Sequence, residues 1–162
     1  MFDYLSTLFS EPIAFFDQAI FRTLAVLIGL CCHEWGHAYV AYRCGDDTAK
    51  RAGRLTLNPV PHIDPMGLFV FVLTSLTGPF VFGWAKPVPI NPRNFRNIVK
   101  DTMLVSFAGP ATNFLLSIGF AVLLRLLIEF FPLGEWQGNT VWDFFFLMFQ
   151  TGVVVNIGLG WL

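Results

Sequence analysis

Charge is what this sequence has least of. Only 13% of its 162 residues are Asp, Glu, Lys or Arg, roughly half the ~25% of an ordinary soluble domain. Ten basic residues nearly balance eleven acidic ones. The basic excess that marks nucleic-acid binding is therefore missing, which argues against a nucleic-acid partner. Cysteine is scarce as well. The three present, Cys31, Cys32 and Cys44, do not make a disulfide framework, and the first two sit in an apolar run where a thiol acts as a small hydrophobe. The opening residues, MFDYLSTLFSEP, carry no Lys or Arg ahead of the first apolar run. The expectation is that this run is a retained helix and not a cleaved signal. Internal repeats and low-complexity stretches are also lacking.

What the chain has in quantity is apolar and aromatic surface. It is 55% hydrophobic and includes nineteen Phe and five Trp, a composition suited to lipid-facing helices. Four apolar stretches are long enough on paper to cross a bilayer, which takes ~20 residues. They run from about Pro12 to Arg43, Met66 to Ala85, Thr102 to Phe130 and Thr140 to Leu162. Pro12 suits a first helical turn and Gly45 a C-cap. Asp64-Pro65 reads as an N-cap followed by proline at N1, and Asp101 as a further cap.

Two polar connectors separate the first three stretches. Residues Cys44–Asp64 hold Lys50, Arg51 and Arg54, next to Arg43. Residues Gly83–Asp101 hold Lys86, Arg93, Arg96 and Lys100. Both are basic, so both are expected on the cytoplasmic side. The third connector, FFPLGEWQGNTVWD, has no Lys or Arg and is expected outside. A simple crossing by Met66–Ala85 would put the two basic connectors on opposite sides. A segment that dips in and returns, bent at Gly78-Pro79, keeps them together. Such backbone persists in a membrane only against protein or a wet cavity. Pro87, Pro89 and Pro92 alternate with apolar residues and favour extended backbone. The expected fold is a single all-α, polytopic membrane unit over residues 1–162, with three to four transmembrane helices, a re-entrant segment and an extended Pro-rich loop.

The first stretch contains an interruption. TLAVLIGLCC (Thr23–Cys32) is followed by His33-Glu34-Trp35-Gly36-His37. Polar side chains in an apolar helix are costly without partners. His33 and His37 are four residues apart, so a helix puts them on one face where both imidazoles can bind one ion. Glu34 then lies beside the ion, placed to take a proton from an attacking water and pass it to a leaving amine. A His–Glu hydrogen-bond network anchoring neighbouring helices is the plainer reading of the same residues. His37 lies six residues before Arg43, hence ~9 Å along the axis from that basic end. This places the site inside the bilayer, towards the cytoplasm.

The matching residues reach further than HEWGHAYVAYRCGD. With GRLTLNPVPHIDPMG, GWAKPVPINPRNFRN and SFAGPATNFLLS, in that order, the chain resembles the site-2 protease family of intramembrane zinc metalloproteases, in its compact prokaryotic branch. The resemblance implies Zn2+ as cofactor and His33 and His37 as ligands. It implies Glu34 as general base, and substrates that are membrane proteins cut in or near a transmembrane helix. It also implies the lipid bilayer of the cell membrane as the setting. Asn113 is offered as a substrate or oxyanion contact, with an interhelical hydrogen bond as the other reading, and Asn156 has the same two. Gly152, Gly158 and Gly160 are expected to permit close helix packing. The prolines of KPVPINP are expected to shape a strand-like lip for extended substrate or simply to stiffen the loop.

The family's third ligand is an Asp in a Leu-Asp-Gly motif, which this sequence does not contain. His62 and Asp64 are the candidates by residue type, although Asp64 is already accounted for as a cap. The expectation is truncation, either because the 162 residues are a fragment or because the product is naturally short, with a substitute ligand as the other reading. Two rival functions follow from the sequence. One is an inactive membrane scaffold. The other is a metal transporter, for which only Asp17 and Glu129 stand in the outer half as further ligands.

Overall fold

The computed structural model describes residues 12–77, 82–130 and 140–161, with the backbone alone at 12–19, 21–22, 75–77 and 140. Helix α1 is Pro12–Arg43 and α2 is the single turn Thr48–Arg51. Helix α3 is Pro65–Thr77, α4 is Ile98–Phe130 and α5 is Thr140–Gly160. Short 3-10 turns occupy Val60–His62 and Pro92–Asn94. No strand forms among the described residues; the extended backbone makes one isolated antiparallel bridge, Ile63 to Ala85.

Among the described residues three helices are long and apolar enough to cross a membrane: Thr23–Arg43 of α1, all of α4, and Val141–Gly160 of α5. They pack pairwise against one another. Their interior is small or polar: Ala25, Ala38, Ala108, Ser117, Asn113 and Asn156 are buried. Most of the large apolar side chains point out, with Phe107 66% and Leu115 70% exposed, while Phe120 and Leu127 are buried. In water this would be an inverted protein. In lipid it is the stable arrangement, because small residues let backbones approach and the tails solvate the rest. At Gly36 a Cβ would fall 2.5 Å from Thr112 Oγ1 and 2.9 Å from Ala108 O, so α1 and α4 touch almost backbone to backbone.

Helix α3 has 13 residues, a length of ~20 Å against the ~30 Å hydrocarbon thickness. It does not cross. The Ile63–Ala85 bridge is extended by the Lys86 N–H donating to His62 O at 2.8 Å, so the segment returns to where it entered. Thr74 closes its inner part by donating from Oγ1 to Phe82 O and accepting the Phe82 N–H, both at 3.0 Å. The two ends of the segment lie together, the return that a re-entrant form requires. Gly78-Pro79, the expected bend, lies outside the described residues, as do the third connector at 131–139 and the side chain of Asp17.

Two buried charged groups fasten the connectors together. Asp46, fully buried, accepts from the Asn91 N–H at 2.7 Å and from Asn94 Nδ2 at 2.8 Å, besides the Thr48 N–H and hydroxyl. Burial alone would raise its pKa. The hydrogen bonds from Thr48, Asn91 and Asn94 outweigh that and hold the carboxyl below the usual carboxylate range. Arg54, 6% exposed, donates to the carbonyls of Lys86 and Pro87 at 2.8 and 3.0 Å. The first connector thus holds the Pro-rich segment along α1. Gly45, with φ +111°, gives the left-handed turn that ends α1 and starts this connector.

Helix starts differ in one place from the sequence expectation. Asp64 caps α3 as expected, its Oδ1 accepting from the N–H groups of Met66 and Gly67. Helix α4 starts earlier than Asp101. Asn97 is the cap, accepting the Lys100 N–H at 3.0 Å, while Asp101 reaches back from inside the helix to the Asn97 N–H at 2.9 Å.

Candidate metal and peptidase site

The site is built where α1 crosses α4. The four-residue spacing puts His33 and His37 on the same face of α1, with ring centroids 4.7 Å apart. Both rings turn their Nε2 atoms to one point on α4. A Cβ at Gly109 would sit 2.5 Å from His33 Nε2 and closer still to His37 Nε2. Any residue but glycine would fill the space in front of the two nitrogens. The outer nitrogens are engaged as well. His37 Nδ1 donates to Val105 O at 2.7 Å, and His33 Nδ1 lies 3.2 Å from the side-chain amide of Asn113. Val105, Gly109 and Asn113 follow at four-residue spacing, so one stripe of α4 serves both histidines.

Glu34 points elsewhere. One residue on from His33 is ~100° around the helix, and this carries its carboxylate to the Pro-rich segment. There Oε2 accepts the Val88 N–H at 2.9 Å. Val88 itself is buried and packs with Ala38 and Ala49.

The other expected site residues are placed as follows. His62 is 2% exposed, and its Nε2 donates to Thr56 O at 2.9 Å. It lines a separate cavity with Leu27, Cys31, Phe71 and Trp84. The Asp64 carboxylate is occupied as the α3 cap. Among the described residues no group of three His, Cys, Asp or Glu side chains is placed to hold a metal ion. Asn156 is fully buried and donates to Gly152 O at 2.8 Å; its Oδ1 faces Gly29, one turn before His33. Gly152 and Gly160 give close packing, against the rings of Phe120 and Phe114. Gly158 does not: a Cβ there meets nothing within 4 Å.

Two imidazoles four apart on a helix, each with its second nitrogen engaged by an outer partner, match two of the three protein ligands a catalytic zinc takes; the described residues bring no third to them. The sequence missed the backbone groups at this site, Val105 O and Val88 N–H. Backbone atoms leave no mark in side-chain type, and only the packing register of α4 and the loop reveals them.

Comparison with known proteins finds relatives named as zinc metalloproteases. The chain is 39% identical over 129 residues to a Bacillus subtilis protein named "Putative zinc metalloprotease YwhC", covering 75% of this chain and 56% of that protein. It is 30% identical over 150 residues to "Putative zinc metalloprotease Rip2" of Mycolicibacterium smegmatis, covering 91% of this chain and 55% of that protein. A Rip2 of Mycobacterium tuberculosis matches at 30% over 156 residues, with the same coverage. The chain thus spans about half the length of these relatives. No family model and no solved structure matches it. The chain is thus similar, over three quarters or more of its length, to proteins named putative zinc metalloproteases, in keeping with the site-2 protease resemblance of its motifs and with its membrane-spanning helices.

Proposed function

We propose that the protein is a zinc metalloendopeptidase that hydrolyses peptide bonds in or beside the transmembrane segments of membrane proteins. The observation that carries this reading is the convergence of His33 Nε2 and His37 Nε2 on the space that Gly109 leaves open. His33 and His37 would hold the ion; the aspartate of a Leu-Asp-Gly motif that the family resemblance implies as third ligand is not among these 162 residues. When bound, zinc supplies Lewis-acid polarisation of the scissile carbonyl and a nucleophilic water at neutral pH.

The chain's own residues do the rest. Glu34 takes a proton from the attacking water as the oxygen bonds to the carbonyl carbon. It then delivers that proton to the amide nitrogen as the C–N bond breaks. The Val88 N–H holds one carboxylate oxygen of Glu34 and leaves the other for the proton. The extended segment at 82–91 offers a backbone edge beside the base, suited to a locally unwound substrate.

The active side is read as cytoplasmic. Asp46 and Arg54 tie the two basic connectors together at one end of the bundle, and basic loops stay inside. In a cell membrane the substrate's helix would reach the site from the lipid, and the re-entrant segment would border a wet entry.

The test is Glu34→Gln in the full-length protein, with a membrane-protein substrate and zinc content measured together. Cleavage should be lost while zinc stays bound. Undiminished cleavage would overturn the assignment. A wild-type protein that binds substrates and never cuts them would instead indicate a scaffold.

A further inference from the structure

We propose that Asn113 is a positioning residue that sets the tautomer of His33 and thereby presents its Nε2 lone pair to the metal. The inference rests on reading His33 and His37 as metal ligands. It concerns what makes one of them competent.

His37 provides the pattern. Its Nδ1 lies 2.7 Å from Val105 O, and a carbonyl can only accept. The Nδ1 therefore carries the proton, and in the neutral ring the lone pair is at Nε2, facing Gly109. His33 has a carboxamide as its partner, 3.2 Å away. A carboxamide has a donor end and an acceptor end of nearly equal size, and hydrogen bonding decides which end faces which neighbour.

The two orientations have opposite consequences. With NH2 towards His33, Nδ1 must accept, and the neutral ring carries its proton on Nε2, where it blocks metal binding. The structure places Nδ2 against the ring and leaves Oδ1 buried without a partner; turned over, the NH2 would take that unpartnered place, so burial cost does not choose between the two orientations and the direction of the His33 lone pair does. With the amide turned over, Oδ1 accepts from Nδ1–H. Both histidines then direct lone pairs into the same space. Asn113 is fully buried, so bulk water does not substitute for it. A single stripe of α4 thus does three things: Val105 O fixes one ligand, Gly109 makes room, and Asn113 fixes the other.

This role differs from an oxyanion contact. The amide meets the ring at Nδ1, on the far side from Nε2. Loss of Asn113 should weaken metal binding itself, beyond any change in kcat.

The tests use the full-length protein. First, 15N shifts of the metal-free wild type should report His33 protonated at Nδ1; a proton at Nε2 would overturn the proposal. This measurement needs no variant to fold. Second, zinc affinity and the visible spectrum of the cobalt-substituted protein are compared across Asn113→Ala and Asn113→Asp. Removing an outer partner of a metal histidine typically weakens affinity about 10- to 100-fold. Asn113→Ala should lose that much and shift the cobalt bands. Asn113→Asp keeps an acceptor for Nδ1–H and should bind within about threefold of wild type. An alanine variant with unchanged affinity and spectrum, or an aspartate variant as weak as alanine, would overturn the positioning role. If instead His33→Leu leaves zinc affinity unchanged, it is the metal site that fails.

Discussion

Glu34 and Val88 meet across 54 positions of sequence, the Val88 N–H donating to Glu34 Oε2 at 2.9 Å. This contact joins the first transmembrane helix to the Pro-rich segment at the residue that would carry the proton. Pro87 and Pro89 flank Val88, and neither has an N–H of its own. Val88 is therefore the donor available at that point of the segment.

Replacing Val88 with proline removes that donor. A hydrogen bond to a charged group contributes about 1.5–3 kcal/mol, so kcat should fall roughly 10- to 100-fold. Zinc content should not change, since no metal ligand is touched. Steady-state kinetics beside elemental analysis checks both. Unchanged kcat would mean that Glu34 is positioned by something else.

Gly109→Ala addresses the space between the imidazoles. A methyl group there would overlap both Nε2 atoms. Zinc should be lost, and overpacking should cost about 1–3 kcal/mol of stability. Metal content and thermal unfolding of the purified variant provide the readout. Full zinc occupancy in a folded Gly109→Ala protein would contradict the geometry.

The glycines of α5 should separate cleanly. Gly152 lies against the Phe120 ring, whereas Gly158 faces open space. Gly152→Ala should destabilise by about 1–3 kcal/mol. Gly158→Ala should be neutral, or better by up to about 1 kcal/mol through helix propensity. Thermal unfolding in detergent or lipid distinguishes them, and equal effects would count against the packing described.

Asp46 makes stability pH-dependent in a defined direction. Its hydrogen bonds hold the folded pKa below the unfolded value, which is about 3.9. The contribution is therefore complete above about pH 4 and is lost as pH falls through the lower folded pKa. Asp46→Asn should lower the unfolding temperature at pH 7 and narrow its gap to wild type at acid pH. A constant gap from pH 7 down to pH 3 would show that the carboxylate charge is not what ties the connectors.

What could be read from the sequence divides along physical lines. That His33 and His37 share a face was legible because helical spacing is local: residues four apart lie together whatever else the chain does. The return of the segment at 65–85 was legible because two basic connectors expected on one side require the chain between them to come back. The Asn113–His33 contact was not, since it joins positions 80 apart and depends on how α4 registers against α1. The start of α4 was misplaced because Asp101 and Asn97 are both good capping types and their hydrogen bonds are reciprocal. Gly158 and Gly152 look alike in sequence, and only the placement of Phe120 tells them apart.

The most direct test of the whole account is zinc bound per chain in the full-length protein, wild type against the His33→Leu, His37→Leu double variant. The account predicts about one zinc per wild-type chain and none in the double variant. A metal-free wild type, or a double variant that retains its zinc, would contradict it.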